Sequence, residues 1–245
     1  MKRSAVRDRM GALLRKTMCL VSGLTWLACL AVPAMADCGT SGIKVVGTTE
    51  EVGVACEAVA GVGSYFDALG LPVEPRLTIE FSDKVEVSIG DGAHLPVSGC
   101  YDPEGQRIQI RRWNANLADA PRPWGLPWDR DAASSVAAHE VVHAALWVLL
   151  EGDPHRLAPA WHEFVAYAVQ LDLMDDDTRE RILREASAEA FATPESVNVI
   201  AYGFDPDLFG LRSYLFARER GASFIRRLIE DDVDFDLRGI DVWCH

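Results

Sequence analysis

Behind Thr48 and Thr49, apolar positions recur at intervals of three and four: Val52, Cys56, Val59, Gly63, Phe66 and Leu69. That spacing marks one face of an amphipathic helix, with the threonines as its cap. Just ahead of it, Ile43 to Val46 reads as a short strand. Between Arg76 and Trp113 the period falls to two: Leu77, Ile79 and Phe81 alternate with polar neighbours, Val85, Val87 and Ile89 do so again, and Ile108 and Ile110 close the series. These are half-buried strands. Tyr101-Asp102-Pro103-Glu104-Gly105 is a turn signal, so the last strand is expected as the second arm of a hairpin. From Asp131 the pattern becomes helical, near 131–151, 159–174, 178–191, 206–220 and 222–231. Strands followed by helices predict an α+β fold: a small, mostly antiparallel sheet packed on an N-terminal helix and the helix beginning at Asp131, then an all-helical C-terminal part.

The first 36 residues do not belong to that pattern. Residues 1 to 17 are basic, Met18 to Val32 is an apolar run broken only by Ser22, Gly23 and Thr25, and Ala34-Met35-Ala36 puts small residues before Asp37. This is the layout of a secretory signal peptide over residues 1–36. As a helix the apolar run rises only about 22 Å, short of a hydrocarbon core roughly 30 Å thick. An exported protein, periplasmic or extracellular, with one domain over residues 37–245 is expected. Six of the 24 basic residues and one of the 37 acidic ones precede Asp37, so the formal charge goes from −13 to −18 on cleavage. Such a charge disfavours nucleic acid and anionic membrane as partners. Cys38, Cys56, Cys100 and Cys244 remain, an even number that an oxidising compartment would pair as two disulfides. Three connectivities are open; Cys38 with Cys56 and Cys100 with Cys244 is preferred because the first closes a short loop.

Pro121 to Trp128 carries three prolines and two tryptophans, which makes it a stiff loop. Its tryptophans either pack onto the core, the commoner fate of the residue, or wall a substrate cleft. Arg111 and Arg112 follow the last strand; they are read as exposed edge charges in preference to a substrate-carboxylate site. That strand's free edge is expected to border the cleft and to be able to pair with an extended peptide.

Within the helix from Asp131 stands Ala138-His139-Glu140-Val141-Val142-His143, a His-Glu-x-x-His motif. Residues four apart share a helical face, so His139 and His143 can direct ring nitrogens at one ion. Glu140, rotated about 100° from His139, can reach a water beside that ion without ligating it. The set suits Zn2+, which accepts imidazole and carboxylate and keeps a position open in catalytic sites. The helix is apolar on nearly all sides, so burying these three polar residues without partners would cost several kcal/mol, and a metal accounts for them.

After Gly152-Asp153-Pro154 a second helix begins at Pro159 and reads Ala160-Trp161-His162-Glu163-Phe164-Val165-Ala166-Tyr167. With these two motifs, nineteen residues intervening between His143 and Glu163, the chain resembles the gluzincin metallopeptidases, the thermolysin-like and aminopeptidase-like branch of the zincins, over roughly Leu77 to Leu173. The resemblance implies a zincin-like fold with Glu163 as third metal ligand beside His139 and His143. His162 is the rival, and cannot readily serve the same ion as its neighbour. Phe164 stands where many relatives have Gly, and Tyr167 where several have an Asp that supports a zinc-bound histidine; that support is left unassigned, with Asp172 and Asp131 as guesses. The branch usually supplies an oxyanion donor from beyond the ligand helix, which here means Tyr202 or Tyr214. His155 and His94 are read as exposed bystanders; His245 is uninformative.

The implied activity is that of an exported zinc metallopeptidase acting on peptides or proteins, with Glu140 as general base. Two other functions compete: a binding or scaffold protein that keeps the metal without cutting a bond, and a zinc hydrolase of a non-peptide substrate. Glu140 favours catalysis, because a purely structural metal site has no use for a base beside the open position.

Overall fold

The computed structural model describes residues 34–39, 42–89, 92–113 and 122–235. Strands β1 (Ala34–Asp37) and β2 (Ile43–Gly47) lead into helix α1 (Thr49–Ala68). Thr48 starts that helix by a reciprocal cap: its hydroxyl accepts from the Glu51 N–H at 3.3 Å while the Glu51 carboxylate accepts from the Thr48 N–H at 2.6 Å. Strands β3 (Leu77–Ser82), β4 (Glu86–Ile89), β5 (Ala93–Pro96), β6 (Gly99–Asp102) and β7 (Arg107–Arg111) follow. Five of them form one sheet in the order β1-β2-β3-β7-β6, and β4 pairs with β5 as a separate hairpin.

The sheet is mixed, not mostly antiparallel. β1 with β2 and β6 with β7 run antiparallel, but β2 with β3 and β3 with β7 run parallel. The cause is connectivity. A parallel return needs a crossover long enough to bring the chain back, and α1 supplies it between β2 and β3. The β6–β7 hairpin turns at Asp102 to Arg107 as expected, with the Gly105 N–H donating to Asp102 Oδ1 at 3.0 Å.

Helices α2 (Arg130–Leu149), α3 (Pro159–Leu173), α4 (Asp176–Ala186), α5 (Val199–Phe204), α6 (Pro206–Arg220) and α7 (Ser223–Ile229) complete the described residues. Asp129 caps α2, accepting from the Asp131 and Ala132 N–H groups at 3.1 and 3.0 Å. α2 is apolar all round because it has neighbours all round: α1, α3, β6 and β7 pack on it. Its run ends at Leu150, and the chain turns through Glu151 and Gly152, both at positive φ, into α3. α4 stops at Ser187 in the left-handed region, short of the expected 191, and α5 was not expected at all.

Cys38 and Cys56 form a disulfide that ties the end of β1 to α1. The second expected bridge includes Cys244, outside the described residues. The Cys100 thiol is half-buried on β6, and burial together with the nearby Glu140 pushes it up to about 11. Most of the expected signal segment also lies outside the described residues. Ala34, Met35 and Ala36 are described, however, and form β1 against β2, so cleavage before Asp37 would remove three of that strand's four residues.

Candidate metal centre

Two helical stripes face one another across the α2–α3 packing. On α2, Ser135, His139 and His143 succeed each other at four-residue steps; on α3, Glu163, Tyr167 and Gln170 do so at four and three. The result brings His139, His143 and Glu163 together with one ligand atom from each inside 4.8 Å of the others. The two Nε2 atoms are 3.1 Å apart, His139 Nε2 lies 3.4 Å from Glu163 Oε2, and His143 Nε2 lies 3.6 Å from Glu163 Oε1.

These separations fit a divalent cation. Donors held about 2.0–2.1 Å from a tetrahedral zinc stand roughly 3.3 Å apart. Glu163 Oε2 is buried and has no hydrogen-bond partner among the described residues, a costly state for a carboxylate oxygen unless a charge meets it. Burial acts to raise Glu163, but the imidazoles of His143 and His139 outweigh it and hold the carboxyl at about 2. Burial pushes His143 down to about 3, which leaves its ring neutral and its lone pair available. His162, also buried on α3, contributes no atom to this cluster.

Glu140 sits beside the triad without joining it. It is 7% exposed, and burial pushes its carboxyl up to about 7. β6 lies directly against the motif helix. At Gly99 the approach is so close that an added Cβ would stand 2.8 Å from Glu140 Cγ and 2.7 Å from Val136 Cγ1. β6, at the end of the sheet order, is thus the strand beside the site. The expectation that β7 offers a free edge is corrected, since β7 is paired on both sides, by β3 and β6.

His139 is held from behind by a residue that sequence reasoning passed over. Its Nδ1 meets Gln170 Oε1 at 2.9 Å, and Gln170 Nε2 donates to Ser135 Oγ at 2.9 Å. Asp172 and Asp131, the guessed supports, are both exposed. No residue-type signal marks a glutamine for this task; only its place seven residues after Glu163, two turns along the same stripe, could have done so.

Of the two tyrosines, Tyr202 is at the site. The Glu163 carboxylate's charge together with burial raises the Tyr202 hydroxyl far above the usual phenol range. Tyr214 packs in a separate cluster with Leu126, Leu171, Ile182 and Leu211. A cleft of about 490 Å³ opens on the site, bordered by His139, Glu140, Trp124, Tyr167, Tyr202 and Phe204.

The proline-rich loop divides its tryptophans between the two expected fates. Trp128 is core, 3% exposed, its Nε1–H donating to the Arg112 carbonyl at 3.1 Å. Trp124 lines the cleft, pinned by its backbone N–H to Asp207 Oδ2 at 2.7 Å and by its indole N–H to the Asp207 carbonyl at 2.8 Å. Neither arginine is an exposed edge charge. Arg111 is 5% exposed, and Arg112 donates to buried Glu51 at 2.9 Å and to Asp83 at 3.3 Å. His94 and His155 are exposed as expected, and His245 lies outside the described residues.

One family model matches the chain, over residues 43–238, a span that contains β2 through α7 and every residue of the site; its description is a family of unknown function. No curated protein and no solved structure matches.

Proposed function

We propose that this chain, which belongs to the family of unknown function DUF6639, is an exported zinc metallopeptidase of zincin-like architecture. The observation that supports this most is Glu140: a buried carboxylate held beside three clustered donors, outside their ligand set, and open to a cleft. A metal kept only for structure would need His139, His143 and Glu163 alone. The disulfide is consistent with an oxidising compartment.

Zinc held by those three residues would supply the positive charge that polarises a scissile carbonyl and acidifies the attacking water. Glu140 takes the proton from that water as its oxygen bonds to the carbonyl carbon, and delivers it to the leaving nitrogen as the C–N bond breaks. Tyr202 borders the cleft and is the hydroxyl available to the developing oxyanion. Trp124 and Tyr167 wall the cleft beside Glu140.

Glu140→Gln separates this reading from a non-catalytic metal protein. The variant is expected to retain one zinc per chain while hydrolysis of casein or a mixed-peptide library falls by about 10²- to 10⁴-fold. Equal turnover by variant and parent would falsify the role given to Glu140. Absence of peptide cleavage by the parent, with zinc bound, would favour the scaffold reading or another substrate.

A further inference from the structure

On the reading that His139 is a metal ligand, we infer that Gln170 is its positioning residue, with Ser135 anchoring the far end of the amide. The Gln170 side chain is 2% exposed between α2 and α3, so neither end has bulk water as a partner. Oε1 can only accept, and it stands 2.9 Å from His139 Nδ1; the imidazole nitrogen there must carry a hydrogen. Nε2 can only donate, and it stands 2.9 Å from Ser135 Oγ.

Turning the amide over would set its NH2 against a bare Nδ1 and its carbonyl against the Ser135 hydroxyl, a pairing that suits the Nε2–H tautomer, whose Nε2 has no lone pair for a metal. With Oε1 on Nδ1, the Ser135–Gln170–His139 chain holds the ring in the tautomer that can ligate. Nδ1 is spent on Gln170, and Nε2, 3.4 Å from Glu163 Oε2 and 3.1 Å from His143 Nε2, keeps its lone pair for the cluster.

The identity of the support matters as well as its place. A carboxylate on Nδ1 pulls the shared proton and makes the imidazole a stronger donor. A neutral amide orients the ring without adding negative charge next to a cluster that already holds Glu163 and Glu140. Gln170 also separates two spaces. It lines the 490 Å³ cleft and, on its other side, a cavity of about 500 Å³ between α1, α2 and α4 that Ser135 also lines. Gln170→Leu keeps most of that wall and removes both hydrogen bonds, which makes it the informative substitution.

The test measures zinc binding by competition with a chromogenic chelator, so that it does not depend on hydrolysis. Gln170→Leu is expected to weaken zinc by about 10- to 100-fold, and Gln170→Glu, which can still accept from Nδ1–H, to restore affinity to within a few-fold of the parent. Leu and Glu variants that both match the parent would overturn the proposal. Should Gln170→Leu fail to fold, the parent itself decides: in the zinc-loaded protein, 15N shifts of His139 are expected to show a protonated Nδ1 and a metal-bound Nε2, and the reverse would overturn it. Either result stands whether or not the protein cleaves peptides. Failure of the parent to take up zinc would remove the metal reading and this proposal together.

Discussion

Gly99 has no room for a side chain, and the reason lies in what it approaches. A Cβ there would meet Val136 Cγ1 at 2.7 Å, Glu140 Cγ at 2.8 Å and Glu140 Oε1 at 2.9 Å. Gly99→Ala must therefore displace the Val136 and Glu140 side chains or shift β6 against α2, and overpacking of this kind costs about 1–3 kcal/mol. For a chain of this size that corresponds to a Tm lower by roughly 2–12 °C. Because the displaced group is Glu140, hydrolysis is expected to fall further than the lost stability explains, with zinc content unchanged. A melting curve and a metal assay on the same preparation check it; an alanine variant with parental Tm would mean the contact is looser than it stands. At this scale the chemistry-bearing types were legible. His139, Glu140, His143 and Glu163 announce themselves because few other arrangements excuse burying them. Gln170 and Gly99 do not, since an amide and a missing side chain become meaningful only against the partner that packing brings up.

Elements were legible in proportion to their length. α2 and α3 span several turns, enough for period and caps to show, and their facing stripes follow from four-residue spacing alone. α5 has six residues, under two turns, and no periodicity can be read in that. The parallel pairings of β3 escaped notice for a different reason: alternation reports which face of a strand is buried and carries nothing about the direction of its neighbours. Yet α5 is the element that shapes the mouth of the cleft. It carries Tyr202 inward, while Ile200 and Phe204, one turn apart, are 73% and 91% exposed. On the proposed activity, a bare Phe on the rim of this cleft is suited to covering an apolar substrate side chain. Phe204→Ser is expected to raise KM by about 3- to 10-fold for peptides with large apolar residues, with kcat nearly constant, because contact of this kind is made equally in ground and transition states. Unchanged KM across a set of apolar and polar peptides would show that α5 takes no part in recognition.

For the molecule as a whole, two devices hold separated parts of the fold together, and they can be told apart by what removes them. The Cys38–Cys56 bridge closes an 18-residue separation between β1 and α1, worth about 3 kcal/mol if its effect is mainly on the unfolded chain. The cation would join α2 to α3 by bringing charge to three clustered donors, and at a thousandfold excess over Kd such binding adds about 4 kcal/mol to the folded state. Treatment with EDTA is thus expected to lower Tm, and added zinc to restore it. The same cycle in His143→Ala should show little shift, since the triad is already broken. Cys38→Ser with Cys56→Ser should lower Tm by a similar amount in both the zinc-loaded and the metal-free protein, because neither cysteine is part of the donor cluster and independent contributions add. A zinc-dependent shift that survived intact in His143→Ala would place the ion elsewhere on the molecule. One that vanished with the disulfide would mean that α1 and the β1 end of the sheet hold α2 in register for its partner helix.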